Sequence, residues 1–320
     1  MINSKRILIT GGAGFIGTNI AKRLIKDNQI LLYDNLWRNS LKNSQIQDEK
    51  NIKIVQGDIL DFQKLKSIVD EFKPDIVIHL AAIAGVDTVM KHPVKTMQIN
   101  MIGTYNILES IKSHKTERFL NFSTSEIFGS YAYKVGDDAQ SSLATVGEAR
   151  WTYSVSKLAG EHLAYAYHKE YDIPIVNIRP FNVYGPGQVG EGAIHRFVVR
   201  ALKNEPLEIH GDGDQIRSWC YIDDFVDGVL LCLTKDEAIG QAFNIGNPRG
   251  TITINMLARL IKELSQSKSE IIYTPKTYVD VELRIPSIEK AKKILGYEPK
   301  IDLEEGLKRT IDWYRRILND

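Results

Sequence analysis

The segment Thr10-Gly11-Gly12-Ala13-Gly14-Phe15-Ile16-Gly17 constrains this chain more than any other, because it joins a strand to a helix through a glycine-rich turn. Before it lies the β-branched run Arg6-Ile7-Leu8-Ile9-Thr10. After it, Phe15, Ile16, Ile20, Leu24 and Ile25 recur at helical spacing. A bare turn at that junction lets a phosphate approach backbone N–H groups at the positive end of a helix. The spacing of glycines alone also describes an ordinary tight turn, so the surrounding units must decide.

They favour the phosphate-binding reading. A second apolar run, Gln29 to Tyr33, ends at Asp34, where a carboxylate accepts hydrogen bonds from both hydroxyls of an adenosine ribose. The same charge repels a 2′-phosphate, which selects NAD over NADP; Arg38, four residues on, is the one feature that argues the other way. Asp58 follows the third strand, Asn51 to Gln56, and has two readings, an adenine contact or a helix N-cap or turn residue.

Strand and helix patterns alternate through the first half. A helix from Phe62 to Phe72 stops at Lys73-Pro74, and Asp75 to Leu80 is apolar as a central parallel strand should be. A long helix from about Val94 to Ser113 leads to a strand from Arg118 to Ser123. Another helix, about Tyr153 to Glu170, feeds a strand from Ile173 to Arg179. Repeated units of this kind predict an α/β fold with a doubly wound parallel sheet over residues 1–179. Beyond Pro180 glycines and prolines cluster in FNVYGPGQVGEG, and the pattern predicts a smaller mixed α/β substrate-binding lobe over 180–320, interleaved so that 242–265 returns to the main sheet.

Two tyrosine–lysine pairs stand four residues apart, Tyr153/Lys157 and Tyr165/Lys169. A phenol titrating near ~10 needs a neighbouring cation before it can accept a proton at neutral pH. The second pair lies ~18 Å further along the same helix and ~120° around it, so one pair alone faces a cofactor. Tyr153/Lys157 is nearer the helix start, at the sheet's carboxyl edge, which leaves Tyr165 as a packing residue and Lys169 as a solvated one. Ser123-Thr124-Ser125-Glu126 ends a strand at that same edge. Thr124 is placed to share a substrate proton with Tyr153. Glu126 is either a carboxylate that moves a proton beside a ketone or a cap on the following turn.

Composition removes several classes. The formal charge is +1 over 320 residues with no basic or acidic block, which speaks against nucleic acid and membrane surfaces. Any anionic ligand must therefore be held locally. Cys220 and Cys232 have no metal or redox spacing and read as reduced thiols, and no metal site is expected. No signal peptide follows Met1, and the longest apolar stretch, Ile76 to Val86, is too short to span a bilayer. A cytoplasmic location is the expectation.

Taken together, TGGAGFIG, DN at 34–35, GDI at 57–59, HLAA at 79–82, STSEIFG at 123–129, YSVSK at 153–157, RPFNVYGPG at 179–187, GDGDQIRSWCYIDDFVDG at 211–228 and FNIGNP at 243–248 resemble the extended short-chain dehydrogenases, the NAD-dependent epimerase/dehydratase family. The resemblance spans nearly the whole chain. It implies a Rossmann domain holding NAD through Gly11, Gly14, Phe15, Ile16, Gly17, Asp34, Asn35, Asp58, Ile59, Ala81, Asn100, Tyr153 and Lys157. It further implies a nucleotide-diphosphate sugar contacted by Asn182 and Arg217, catalytic use of Ser125 beside Thr124, and a homodimer formed through the two long helices.

Within the family the chain is most similar to UDP-glucuronate decarboxylases, through STSE, ARWTYSVSK, NIGNP and DVELRIPSI at 280–288. Arg284 matches the arginine near the sugar carboxylate in those enzymes; a nucleotide or surface contact is its other reading. One departure is visible: Gly187-Gln188 stands where they usually carry arginine after Tyr-Gly-Pro. The implied chemistry passes through a 4-keto sugar, from which decarboxylation, 4,6-dehydration, 4-epimerisation or net 4-dehydrogenation can follow. A non-catalytic NAD-sensing module on the same fold is a rival of another class, but it has no use for Tyr153, Lys157 and Thr124.

Overall fold

The computed structural model describes residues 2–143, 145–276 and 278–319; Met1, Ala144, Thr277 and Asp320 lie outside the described residues. Seven parallel strands form the main sheet: β1 (Arg6–Thr10), β2 (Gln29–Asp34), β3 (Ile52–Gln56), β4 (Ile76–His79), β5 (Arg118–Phe122), β7 (Ile175–Pro180) and β12 (Gln241–Ile245). Their order is β12-β7-β5-β4-β1-β2-β3, so the winding reverses between β1 and β4, where ligands bind in such sheets. Alternation sends Ile7 and Ile9 into one buried layer and Leu8 into the other. Covered on both faces, the central strands are almost wholly apolar.

Helices α1 (Phe15–Leu24), α2 (Phe62–Phe72), α3 (Val86–Lys91), α4 (Pro93–Met97), α5 (Gly103–Ile111) and α6 (Ala149–Tyr171) complete the first half. α2 ends where predicted, with Lys73 left-handed at φ +47° before Pro74. Two helices differ from expectation. The long helix expected over 94–113 is broken by a π-helical stretch, Gln98–Ile102, which joins α4 to α5. α6 begins four residues before Tyr153, which brings Arg150 and the buried Trp151 into its first turn.

The smaller lobe holds a four-stranded sheet, in the order β13 (Thr251–Thr253), β10 (Ile216–Ser218), β15 (Leu283–Pro286) and β6 (Tyr131–Val135). Two strand pairs flank it, β8 (Val183–Tyr184) with β11 (Cys220–Tyr221) and β9 (Leu207–His210) with β14 (Ile271–Thr274). Its helices are α7 (Ala193–Leu202), α9 (Ile254–Ser265) and α10 (Leu303–Asn319). The part of the chain that returns to the main sheet is α8 (Ile222–Thr234), packed on α1, β5 and β7, followed by β12. α9, expected to return with β12, packs instead on α7, α10 and β9. Both cysteines are buried free thiols. Among the described residues no helix is long and apolar enough to cross a membrane, and no cluster of ligating side chains could hold a metal.

Candidate active site

Two adjacent cavities open at the carboxyl ends of the main strands. The first, about 670 Å³, is lined by Gly11, Gly14, Phe15, Ile16 and Gly17, by Asp34, Asn35, Asp58 and Ile59, and by Ala81. Its floor depends on absent side chains. Gly11 has φ +69°, and a Cβ there would lie 2.6 Å from the Ala81 nitrogen; one on Gly17 would lie 2.7 Å from the Gly12 Cα. Gly14 caps α1 without any side-chain bond, leaving the helix N-terminus open to an anion.

Asp34 is braced by the Ala13 and Leu36 N–H groups, at 3.0 and 2.7 Å, which fix its carboxylate at the cavity wall. Burial raises its pKa against those two donors. Asp58 accepts from the Leu60 N–H at 2.9 Å, and it is Asp61, not Asp58, that caps α2 through the Lys64 N–H at 3.1 Å. The cap reading of Asp58 is thereby displaced. Asn35 accepts from the Trp37 N–H at 3.0 Å. Asn100 differs from expectation: it is 1% exposed, and its amide is engaged with both polar groups of the Ile83 backbone and with Ser156. It braces the cavity wall from behind. One guanidinium nitrogen of Arg38 is held by Glu191 at 2.8 Å and by Thr88 at 3.0 Å, which engages part of the one feature that argues against NAD.

The second cavity, about 570 Å³, shares Arg38, Val183, Gln188 and Val189 with the first. Glu126, Arg150, Asn182, Arg217, Asp280 and Arg284 also line it. Thr124, whose hydroxyl accepts from the Glu126 N–H at 3.2 Å, is the cap of the short turn after β5. Glu126 therefore does not cap that turn. Its carboxylate accepts two hydrogen bonds from Arg150, at 2.6 and 2.8 Å, and stands 3.7 Å from Arg284. Asp280 continues the series, 3.5 Å from Arg150 and 3.2 Å from Arg217. The result is a ladder, Arg284–Glu126–Arg150–Asp280–Arg217, of three guanidiniums and two carboxylates, with all three arginines buried. Burial pushes Glu126 up, yet Arg150, Arg284 and Arg217 outweigh it and hold the carboxyl below its ordinary range.

Arg284 is 2% exposed, so it is no surface contact; it donates to the Gly129 carbonyl at 2.7 Å. Arg217, expected to fork onto phosphate, directs its guanidinium to the Ile216, Val281 and Glu282 carbonyls and to Asp280. Asn182, at φ +36°, donates to the Ser218 carbonyl at 3.0 Å. Ser125 is buried directly after Thr124.

Tyr153 follows Arg150 by one turn on α6, with Thr124 close enough to favour its ionised form. Burial, then the charge of Glu126, raises its pKa to about 12, against the lowering effects of Thr124, Arg150 and Arg284. The expected lowering by Lys157 is not what the protein alone supplies. Burial lowers Lys157 to about 8, with Glu161 opposing, and Glu161 is itself drawn into an ion pair with Arg179. His79, sandwiched between the Thr10 and Thr104 hydroxyls at 2.7 and 3.1 Å, is pushed to about 3 by burial and then by Lys157, so it stays neutral. Tyr165 is 44% exposed with Lys169 over its ring, on the surface and not packed as expected.

Arg150 and Asp280 are the charged groups that sequence reasoning did not assign. Arg150 lay within the quoted motif ARWTYSVSK but ahead of the expected helix start.

The family model described as the NAD dependent epimerase/dehydratase family matches residues 7–246. A UDP-glucuronate 4-epimerase of Thermodesulfobacterium geofontis is 35% identical over 319 residues, 96% of this chain and 95% of that protein. A UDP-N-acetyl-alpha-D-glucosaminuronate decarboxylase of Bacillus cytotoxicus is 34% identical, over 99% of each. The crystal structure of a UDP-glucuronic acid 4-epimerase from Bacillus cereus, in complex with UDP-glucuronic acid and NAD, superposes with a TM-score of 0.89 at 32% identity, covering 98% of this chain and 99% of that one.

Proposed function

This chain belongs to the NAD-dependent epimerase/dehydratase family, and we propose that within it the protein acts on a nucleotide-linked uronic acid as a UDP-glucuronate decarboxylase-like enzyme. One observation carries this reading: the cavity beside Tyr153 is walled by a buried charge ladder with one guanidinium in excess. A C6 carboxylate can balance that charge at the sugar itself, where a neutral hexose offers only its diphosphate. The named substrates of the two relatives above are acidic sugars too.

The glycine turn and Asp34 would hold NAD, which would supply the acceptor for the hydrogen leaving C4. The phenol of Tyr153 must first be ionised by the positive charge that Lys157, one turn further along, and NAD would supply; it then takes the proton of the 4-hydroxyl, with Thr124 beside it. The 4-ketone so formed is β to the C6 carboxylate. The C5–C6 bond then breaks with its electron pair passing toward the ketone, carbon dioxide leaves, and C5 takes a proton. Arg284 orients the carboxylate, and Glu126 is the nearest carboxyl to carry that proton. Asn182 and Arg217 frame the remainder of the substrate site, with Ser125 buried behind Thr124.

We also propose a homodimer across the face formed by α4, the π-helical stretch, α5 and α6, which leaves Val94 70%, Ile102 47% and Tyr105 47% exposed. The free thiols suit a reducing compartment such as the cytoplasm.

The test is mass spectrometry after incubation with NAD and, separately, UDP-glucuronate, UDP-GlcNAc, UDP-glucose and GDP-mannose. Loss of carbon dioxide from the first is expected. An isomer of unchanged mass would make the protein a 4-epimerase on the same acid. Loss of water or two hydrogens from a neutral sugar would replace the uronate reading with dehydration or net oxidation.

A further inference from the structure

Arg150 grips Glu126 with both terminal nitrogens and touches Asp280 with one of them. It is 5% exposed, it lines the second cavity, and its buried Nε has no partner among the described residues. A planar fork occupies both oxygens of a carboxylate. In this arrangement Glu126 is thus a fixed anion, not a free proton carrier.

Several elements face Glu126 among the described residues. α6 presents Arg150, Tyr153 and the Ser154 hydroxyl, the last at 3.5 Å. β15 presents Arg284, β10 contributes Arg217, the segment before β15 brings Asp280 to Arg150, and Thr124 lies in Glu126's own turn. With three guanidiniums and two carboxylates, the ladder takes up one more carboxylate without stranding an anion. A carboxylate entering the cavity meets Arg150, the cation central to the ladder.

We propose that Arg150 is a positioning residue that holds Glu126 in a closed ion pair and yields to the carboxylate of a bound uronate, releasing Glu126 for proton exchange. This rests on the uronate reading above. The direction follows from burial: a buried carboxyl without its cation favours the neutral form, so Glu126 gains proton affinity only while an acidic sugar is present. A neutral hexose leaves the pair shut.

The NAD-loaded protein, labelled with [δ-13C]glutamate and carrying Tyr153→Phe to stop turnover, allows the Glu126 carboxyl to be titrated by NMR, with Glu126→Gln for assignment. UDP-glucuronate is expected to raise the Glu126 midpoint by about one unit or more, and UDP-glucose to leave it in place. In Arg150→Gln the midpoint starts high and UDP-glucuronate no longer moves it; Arg150→Lys, which keeps the charge but loses the fork, lies between. Saturable binding of UDP-glucuronate that leaves the midpoint unmoved overturns the inference and spares the uronate reading. Failure of UDP-glucuronate to bind overturns both. A midpoint in Arg150→Gln equal to that of the parent also overturns the inference, whatever binds.

Discussion

The first cavity is walled largely by glycines and apolar side chains from the first hundred residues, whereas the second carries many charged side chains drawn from separate segments of both lobes. The glycine turn works by leaving room, and its geometry is local. The arginine–carboxylate ladder works by filling room with charge, and each rung depends on a partner distant in the chain: Glu126 from Arg150 by 24 positions, Arg217 from Asp280 by 63. A site that reads a constant cofactor can be written into one turn. A site that reads a variable sugar is assembled from the tertiary fold.

Variants should keep these two properties apart. The largest effect belongs to the proton acceptor: Tyr153→Phe is expected to lower kcat by about 10³-fold with NAD affinity unchanged, while Tyr165→Phe leaves both alone, as steady-state rates and NAD titration would show. Next, Arg284→Gln should cut kcat/KM for UDP-glucuronate by about 10²-fold without weakening NAD, because it removes a buried charged contact to the substrate carboxylate. If instead NAD binding falls with it, the two cavities are one functional unit and the comparison fails. Asp34→Asn should do the converse, weakening NAD about tenfold with no change in preference between acidic and neutral sugars.

The smallest effect is on stability. Burial lowers folded Lys157 to about 8 from 10.5, so the folded state disfavours its charged form. Below about pH 8 the lysine is charged in both states and that penalty is complete; it fades as pH rises toward 10.5, where the unfolded lysine also loses its proton. Lys157→Met should therefore raise the Tm of the NAD-free protein by a few degrees at pH 7 and by almost nothing at pH 10.5, while abolishing turnover. Equal gains at both pH values would show that packing, not charge, is responsible.

Most of the fold was legible because its signals are local. β1 and α2 fall where periodicity, glycine and proline place them, and Asp34 is found at the end of the second apolar run. Tyr153 and Lys157 were chosen over Tyr165 and Lys169 by distance along one helix, and the structure leaves Tyr165 and Lys169 on the surface. What escaped was non-local. The cap of the turn after β5 belongs to Thr124, which frees Glu126 for an ion pair with Arg150, and no pattern in the chain announces that pairing. Asn100 sits in a π-helical stretch that interrupts a continuous helical pattern, and its amide turns inward to Ile83. The expected return of α9 failed because an amphipathic helix does not reveal which of two lobes it covers.

One consequence follows from α6. Arg150, Tyr153 and Lys157 project from a single unbroken helix within seven residues, a span of about 10 Å along a rod that moves as one body. Charge partner, proton acceptor and cofactor-side cation thus share one backbone, and each keeps only its own side-chain rotamers. Any tilt of that rod misaligns all three at once, so this arrangement tolerates little drift there. Divergence toward a different sugar has its latitude in the opposite wall, in Arg284, Asp280 and the loop carrying Gly187 and Gln188.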